Sequence, residues 1–329
     1  MTNSQPLTIN DYIRGVLDGD RTILARAITL IESNSSSHIE QAQIVLRELL
    51  PYTGNSIRIG ITGMPGAGKS TFIESLGCYL TENEHRVAVM AIDPSSSITK
   101  GSILGDKTRM EILASDPNAF IRPSPSSGVL GGVARKTRET MLLFEAAGYD
   151  VLIVETIGVG QNEITVRSMV DFILLLTIAG AGDELQGIKK GIIEIADAVV
   201  VNKADGDNEP KAKAASSEYN TALHYLTSAT QGWQTEALTC SSITGKGILE
   251  IWKIIEKFKK ITQQSGVWKD RRRYQARDWL YALVEEHLRR LFKHHPDIKN
   301  YLPEIEKAVM AGELPVTTAA KILIDKFEG

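Results

Sequence analysis

The hydrophobic positions of this chain change their spacing twice, near residue 55 and near residue 265. In residues 1–54, apolar side chains recur every three or four positions, which is typical of helices that bury one face. A polar stretch at Ser33–Ser37 precedes a third predicted helix at Ile39–Leu50, which Pro51 ends. The first 54 residues are therefore predicted to form a helical segment.

Between residues 55 and 264, short apolar runs alternate with predicted helices. The runs are rich in Val and Ile, as in strands that are buried on both faces of a parallel sheet. They are Ile57–Thr62, Val87–Asp93, Val151–Thr156, Phe172–Ala179, Ala198–Asn202 and Ala237–Cys240. The helices between them are Lys69–Thr81, Gly132–Ala147, Leu185–Ala196, Pro210–Thr227 and Gly247–Lys260. This alternation predicts an α/β fold with a doubly wound, mostly parallel sheet flanked by helices, whose ligand lies beyond the carboxyl ends of the strands.

After residue 265 the predicted strands stop and two apolar helical stripes follow. The first stripe runs from Trp279 to Phe292 and the second from Tyr301 to Val309, with a break at Pro296. Stripes this wide must be buried, either in the core of a helical hairpin or against a second subunit. The predicted organisation is thus a helical segment at 1–54, an α/β domain at 55–264 and a helical hairpin at 265–329.

Composition and charge narrow the classes of protein that remain. A formal net charge of −3 gives no strong field for nucleic acid or an anionic membrane. The longest apolar run, Phe172–Ala179, is far shorter than the ~20 residues of a membrane span. The only two cysteines, Cys78 and Cys240, lack metal-site spacing and favour a reducing compartment. Because we also see no signal peptide, we expect a cytoplasmic protein with no nucleic acid and no membrane as partners.

A phosphate-binding sequence lies between the first predicted strand and the helix that follows it. Its residues are Gly63, Met64, Pro65, Gly66, Ala67, Gly68, Lys69, Ser70 and Thr71. The glycines allow backbone N–H groups to surround phosphates at the positive end of a helix. Lys69 is expected to contact the terminal phosphates, and the Ser70 hydroxyl is expected to reach Mg²⁺. This sequence predicts a P-loop NTPase.

A second motif, at the end of another predicted strand, indicates guanine. The Asp205 carboxylate can accept from both the ring N–H and the exocyclic amine of guanine, whereas adenine offers a lone pair at the ring position. A site built for those hydrogen bonds rejects the wrong base by roughly 10⁴ or more. The nucleotide contacts expected here are Asn202, Lys203 and Asp205, with Ser241, Ser242 and Ile243 in the next loop closing over the base.

The strand that begins after Asp150 ends in Glu155, where P-loop NTPases hold the water shell of Mg²⁺. Gly158 can donate its N–H to the γ-phosphate, so residues 159–163 are expected to move on hydrolysis. A strand end with no such role is the alternative interpretation.

Four further residues are candidates for the chemical step. Asp93 and Asp106 can serve as Mg²⁺ ligands or orient the attacking water, Arg109 can supply positive charge, and Gln161 can also orient water. The sequence does not choose among them. The predicted metal ligands are therefore Ser70, Asp93, Asp106 and Glu155, and the predicted catalytic residues are Lys69, Asp93, Asp106, Arg109, Glu155 and Gln161.

With these motifs together, the chain resembles the MeaB/ArgK/MMAA family of GTPases. The stretches that carry the resemblance are 63–71, 93–96 with 104–110, 125–128 with 130–132, 154–161, 181–190 and 202–205. The run Gly182–Lys190 is particularly specific, because generic GTPases lack it.

The resemblance implies a GTP-binding and GTP-hydrolysing chaperone that gates adenosylcobalamin loading and protects a cobalamin-dependent acyl-CoA mutase, chiefly methylmalonyl-CoA mutase. It also implies a homodimer joined through the C-terminal helices, and a mobile loop at Gly182–Lys190 that reports the nucleotide state.

Three alternatives stay open. A metal-insertion GTPase should carry clusters of Cys and His ligands, and a protein-targeting GTPase should carry a Met-rich helical groove. The sequence shows neither. A GTPase or kinase linked to arginine and ornithine transport would need a phospho-acceptor pocket, which the sequence neither shows nor excludes.

Overall fold

The computed structural model describes residues 7–92, 110–122, 130–156, 162–180 and 190–328. The chain falls into two compact units, Met1–Arg272 and Arg273–Gly329. The three-part division predicted from the sequence stays a prediction, while the N-terminal helices belong to the same unit as the sheet.

The first unit is built on a seven-stranded sheet. Its strands are β1 Ile57–Gly63, β2 Val87–Ile92, β3 Ala119–Arg122, β4 Val151–Thr156, β5 Phe172–Ile178, β6 Ala198–Asn202 and β7 Glu236–Thr239. The strand order is β3-β2-β4-β1-β5-β6-β7, and every pairing is parallel. Phosphate-loop strand β1 lies at the centre, with Ile59 beside Ile153 on one side and Phe172 on the other. The predicted fold class is confirmed.

The sequence pattern did not predict strand β3. It contains only four residues, Ala119–Arg122, and pairs with β2 at an edge of the sheet. Its side chains alternate between buried and half-buried, and one of the half-buried positions is Arg122. The apolar part of this strand is only three residues long, at Ala119–Ile121, which is too short for the sequence pattern to indicate a strand.

Helices of the first unit cover both faces of the sheet. They are α1 Ile9–Leu17, α2 Arg21–Glu32, α3 Ser36–Leu49, α4 Lys69–Glu82, α5 Glu111–Ser115, α6 Leu130–Ala146, α7 Asn162–Arg167, α8 Lys190–Ile195, α9 Glu209–His224 and α10 Ile248–Ser265. Short 3-10 helices lie at Leu50–Tyr52 and Gly206–Asn208.

Two hydrophobic cores lie against the sheet. One contains residues of the N-terminal helices, such as Leu24 and Ile28, together with Phe144 of α6. The other contains Phe72 of α4 and Ile255 of α10. Each fully buried side chain of this size stabilises the fold by roughly 1.5–3 kcal/mol. The N-terminal helices therefore form part of the core that supports the sheet.

Helix α11, Val267–His294, begins in the first unit after Gly266, and α12 Pro296–Met310 and α13 Val316–Glu328 follow it. The structure thus has a third C-terminal helix beyond the predicted hairpin, after a turn at Gly312 with a φ of 73°. Among the residues that the structure describes, no helix is long and apolar enough to cross a membrane.

Candidate nucleotide-binding site

The carboxyl ends of β1, β4, β6 and β7 meet at one edge of the sheet, because all strands are parallel. The loop between β1 and α4 passes over this edge. At Gly63 the φ is 147°, and a Cβ would lie 2.0 Å from the carbonyl oxygen of Leu176. At Gly68 the φ is 88°, and a Cβ would lie 2.9 Å from Nδ2 of Asn202. Only glycine fits these two positions, so the loop conformation depends on them.

Lys69 is the first residue of α4 and folds back over this loop. Its Nζ donates to the carbonyl oxygens of Gly63 at 2.9 Å and Met64 at 3.3 Å. The ammonium therefore lies at the amino-terminal, positive end of a 14-residue helix. Thr71 lies in the same first turn with an exposed side chain. This end of α4 offers backbone N–H groups and one cation to an anion.

Ser70 and Glu155 form the oxygen-rich part of the site. The Ser70 hydroxyl donates to Oε1 of Glu155 at 3.3 Å, and the Glu155 side chain is buried. Beside them, Thr156 donates to the hydroxyl of Thr62 at 3.0 Å, which joins the ends of β4 and β1. Hydroxyl and carboxylate oxygens are the donors that Mg²⁺ prefers. Within the described ranges, no three His, Cys, Asp or Glu side chains cluster as a metal site, and the predicted ligands Asp93 and Asp106 lie outside those ranges.

Asn202, at the end of β6, joins the phosphate loop to the loop after β7. Its Nδ2 donates to the carbonyl oxygen of Ala67 at 2.8 Å. Its Oδ1 accepts from the backbone N–H of Ser242 at 3.1 Å and from the Ser242 hydroxyl at 2.7 Å. Asn202 is almost fully buried. Its amide therefore positions two loops, and its hydrogen bonds are made to protein groups on both sides.

Asp205 lies half-buried after a strained residue. Lys203 has a φ of 59°, a left-handed conformation that costs a non-glycine residue of order 1–3 kcal/mol. The Ser241 hydroxyl donates to Oδ1 of Asp205 at 2.8 Å. This bond occupies one lone pair of Oδ1 and fixes the carboxylate. Among the residues that the structure describes, no side chain or backbone group donates to Oδ2, so this oxygen can accept from a ligand. In the same loop as Ser241, the Ile243 side chain is exposed.

An exposed ion pair supports the same loop. Lys246 donates to Oε1 of Glu209 at 2.8 Å, and Lys213 reaches the same oxygen at 2.8 Å. Hydrogen bonds from both lysines lower the pKa of Glu209 to about 2. Since Glu209 begins α9 and Lys246 lies in the loop that contains Ser241, this pair links the loop to the helix after Asp205.

The sequence did not identify Cys240 as part of this arrangement. Its thiol donates to Oδ1 of Asn202 at 3.3 Å. Burial raises the pKa of Cys240 to about 12, so the thiol is neutral and serves as a small donor. Its position immediately before Ser241, at a strand end, was the one available signal.

The structure brings together the predicted phosphate-loop residues, Glu155, Asn202, Asp205 and the Ser241 loop. The other predicted site residues, Asp93, Asp106, Arg109, Gly158 and Gln161, lie outside the residues that the structure describes, as does most of the Gly182–Lys190 loop. Their roles stay predictions.

Comparison with known proteins identifies relatives over the whole chain. A family described as methylmalonyl-CoA mutase-associated GTPase MeaB matches residues 24–297. GTPase ArgK of Escherichia coli is 47% identical over 96% of this chain and 96% of its own. A mitochondrial protein of Mus musculus named methylmalonic aciduria type A homolog is 44% identical over 100% of this chain and 81% of its own. The crystal structure of a protein called LAO/AO transport system kinase is 39% identical, with a TM-score of 0.80 and full coverage of both chains.

Proposed function

This chain belongs to the MeaB family of GTPases, and we propose that it is a chaperone whose GTP cycle controls adenosylcobalamin loading into an acyl-CoA mutase and protects that enzyme. The observation that supports a mutase as the partner is the family match over residues 24–297. Methylmalonyl-CoA mutase is the proposed client, and an isobutyryl-CoA mutase is the second candidate of the same kind. The proposed location is the cytoplasm.

The geometry of the site supports specific roles in binding GTP. Lys69 exchanges its contacts with the carbonyls of Gly63 and Met64 for the terminal phosphates, which its position at the start of α4 allows. Asp205, held by Ser241, accepts the two N–H groups of guanine. Asn202 keeps the phosphate and base loops at a fixed separation. Asn202 and Asp205 are already oriented by these hydrogen bonds, which reduces the conformational entropy that the protein loses when the ligand binds.

Ser70 and Glu155 fit a Mg²⁺ site, because both present hard oxygen atoms at the phosphate side of the loop. Bound Mg²⁺ would neutralise charge that develops on the phosphate oxygens. Glu155 is long enough to act through a water molecule, and its burial keeps the carboxylate at a fixed depth. Asp93, Asp106, Arg109 and Gln161 are the proposed groups for the remaining metal contacts and for activating water.

We expect slow hydrolysis by the isolated protein and stimulation by the mutase. A P-loop GTPase in which a partner completes the catalytic groups gains about 10³-fold or more from that partner. Phosphate release should be measured with and without purified methylmalonyl-CoA mutase, with Lys69→Ala as the inactive control. A parent protein that turns over equally fast in both conditions would contradict the chaperone proposal.

A second candidate function is that of a kinase, because the related protein of known crystal structure is called LAO/AO transport system kinase. GTP labelled at the γ-phosphate distinguishes the two functions in one experiment. Release of the label as free phosphate supports the GTPase switch, whereas stable transfer of the label to a partner protein supports the kinase.

A further inference from the structure

A cavity of 310 Å³ lies at the amino-terminal edge of the sheet. Ile57 and Val151, the first residues of β1 and β4, contribute to it, and so do the side chains of Trp252 and Ile255 on α10. Strand β1 begins here and ends at Gly63 in the phosphate loop. The cavity and the nucleotide site are therefore at opposite edges of the same sheet, and occupancy of one leaves the other free.

The polar side of the cavity includes a fixed imidazole. Nδ1 of His85 lies 2.6 Å from Oδ2 of Asp150, whose other oxygen accepts from the backbone N–H of Arg86 at 2.7 Å. The His85 ring meets the Trp252 indole edge-on, with 5.1 Å between the ring centres. Both oxygens of Asp150 are thus engaged by neighbouring protein groups, and the ring of His85 is held against an aromatic wall.

Two lysines from the last turns of α10 line the same cavity, Lys259 and Lys260. Elsewhere on the surface, Lys257 pairs with Glu236 and Lys246 pairs with Glu209. No ion pair joins Lys259 or Lys260 to a carboxylate in the part of the chain that the structure describes. Glu256 is the other acidic side chain of the cavity, and it lies on the same helix one turn away.

We propose that this cavity binds a small organic anion. Its apolar body would lie against Trp252 and Ile255, and its carboxylate or phosphate monoester would lie between the ammonium groups of Lys259 and Lys260. The carboxamides of Gln263 and Gln264 add hydrogen-bond donors at the rim. Cavities for small molecules range from roughly 300 to 1,000 Å³, so this one is matched to a single ring or a short branched chain. The proposal is independent of the function proposed for the GTP site.

The test uses the full-length protein labelled with 5-fluorotryptophan, since four Trp residues give four fluorine resonances. GDP and Mg²⁺ are added in excess first, so that the phosphate loop does not compete for the probes. Benzoate and phenyl phosphate are the two anionic probes, benzamide is the neutral one, and inorganic phosphate is the anion without an apolar body. The variant Trp252→Phe assigns the resonance of Trp252.

We expect benzoate or phenyl phosphate to shift the Trp252 resonance saturably, with a Kd of about 1 mM or lower. Benzamide and inorganic phosphate should bind at least about tenfold more weakly, because each lacks one of the two features. The comparison of benzoate with phenyl phosphate shows which head group the site prefers.

A double variant, Lys259→Gln/Lys260→Gln, should weaken binding of the preferred anion about tenfold or more. Its matched control is Lys253→Gln/Lys257→Gln, which removes two charges from the same helix outside the cavity and should bind like the parent. The proposal is overturned if benzamide binds as tightly as benzoate, if the two double variants behave alike, or if no probe shifts Trp252. Unchanged GTP hydrolysis by both variants verifies that they are folded.

Discussion

At the scale of single residues, Asn202 and Asp205 have different tasks, although they belong to one short motif. Asn202 is nearly fully buried, and its carboxamide joins the carbonyl of Ala67 to the hydroxyl of Ser242. Asp205 is half-buried, and its carboxylate keeps free lone pairs beside the one that Ser241 occupies. We therefore propose that Asp205 selects the base, while Asn202 determines how far apart the phosphate loop and the loop after β7 lie.

Replacing Asp205 with Asn should relax the preference for guanine. The amide can accept only one of the two N–H groups of guanine, and it presents a donor where the base also presents one. GTP affinity should fall about 100-fold. XTP has a carbonyl in place of the exocyclic amine, so it should bind to the variant more tightly than it binds to the parent protein. Competition against a fluorescent guanine nucleotide measures both effects. Ser241→Ala is the control, because it keeps the Asp205 carboxylate. It should lower GTP affinity less than Asp205→Asn does. Full GTP selectivity in Asp205→Asn would place the base elsewhere.

The burial of Cys240 should make the free energy of unfolding depend on pH, and the raised pKa of the thiol determines the direction of that dependence. Burial raises the pKa of this thiol from the ordinary 9.0 to about 12. The folded state keeps the thiol protonated and neutral. The contribution of Cys240 to the free energy of unfolding is therefore complete below pH 9, and it is lost as pH rises from 9 towards 12. Between about pH 8 and 10.5, the parent should therefore lose more free energy of unfolding than Cys240→Ala. Urea denaturation at a series of pH values measures this difference. Parallel curves for the parent and Cys240→Ala would refute the assignment.

At the scale of elements, a buried ion network ties α6 to the start of β1. Glu145 of α6 accepts from Nε of Arg58 at 2.9 Å, Nη2 of Arg58 at 3.0 Å, the Ser56 hydroxyl at 2.5 Å and the Gly54 backbone at 2.9 Å. Burial alone would raise the pKa of Glu145, but Arg58 and Ser56 together hold it below its ordinary value. The network therefore holds the helix against the sheet most strongly while this carboxylate is charged.

Replacing Glu145 with Ala should lower the free energy of unfolding by about 3–5 kcal/mol, because the Arg58 charge would remain buried without its partner. Adding Arg58→Met should recover most of that loss.

Because the pKa of Glu145 is lowered by folding, its contribution to stability is present above about pH 4.3 and is lost as pH falls below that value. Denaturation in urea provides the values. The control is Glu48→Ala, which breaks an exposed pair with Arg47 and should change stability by less than about 0.5 kcal/mol. Equal effects of the two single variants would contradict the role of burial.

Sequence patterns predicted the central strands because those strands are buried on both faces. A run such as Ala198–Asn202 is buried at every position and has no polar side for water. The patterns did not predict β3, whose four residues include Arg122. They predicted the phosphate and base motifs, since each requires fixed residue types at fixed spacing. They did not predict Cys240 or the pair of Glu209 with Lys246, because these contacts depend on which strand and helix ends meet in space.

At the scale of the whole molecule, the groups proposed to bind GTP that the structure describes all lie in Met1–Arg272. The second unit, Arg273–Gly329, instead carries exposed apolar side chains on α11. Leu280, Val284 and Leu288 are spaced four residues apart and are about half exposed, at 59%, 47% and 53%. Side chains at this spacing share one face of a helix. A face of this kind supports the proposed homodimer through the C-terminal helices.

Charges placed on that face should therefore dissociate a dimer without affecting the nucleotide site. We expect the parent to sediment as a dimer and Val284→Glu/Leu288→Glu to sediment as a monomer, because carboxylates buried across an interface have no partner. Glu286→Lys is the control, since residue 286 lies about 200° around the helix from residue 284.

The variant Val284→Glu/Leu288→Glu should also separate intrinsic GTP hydrolysis from stimulation by the mutase. Its intrinsic GTP hydrolysis should stay within about twofold of the parent, since the substituted residues belong to the second unit, whereas the described groups proposed to bind GTP belong to the first. Its stimulation by the mutase should fall if the partner recognises the dimer, and should persist if the first unit alone makes that contact. Sedimentation velocity with a parallel phosphate-release assay gives both results. A parent that sediments as a monomer would remove the dimer from the proposal and leave the exposed face of α11 as a surface for the mutase.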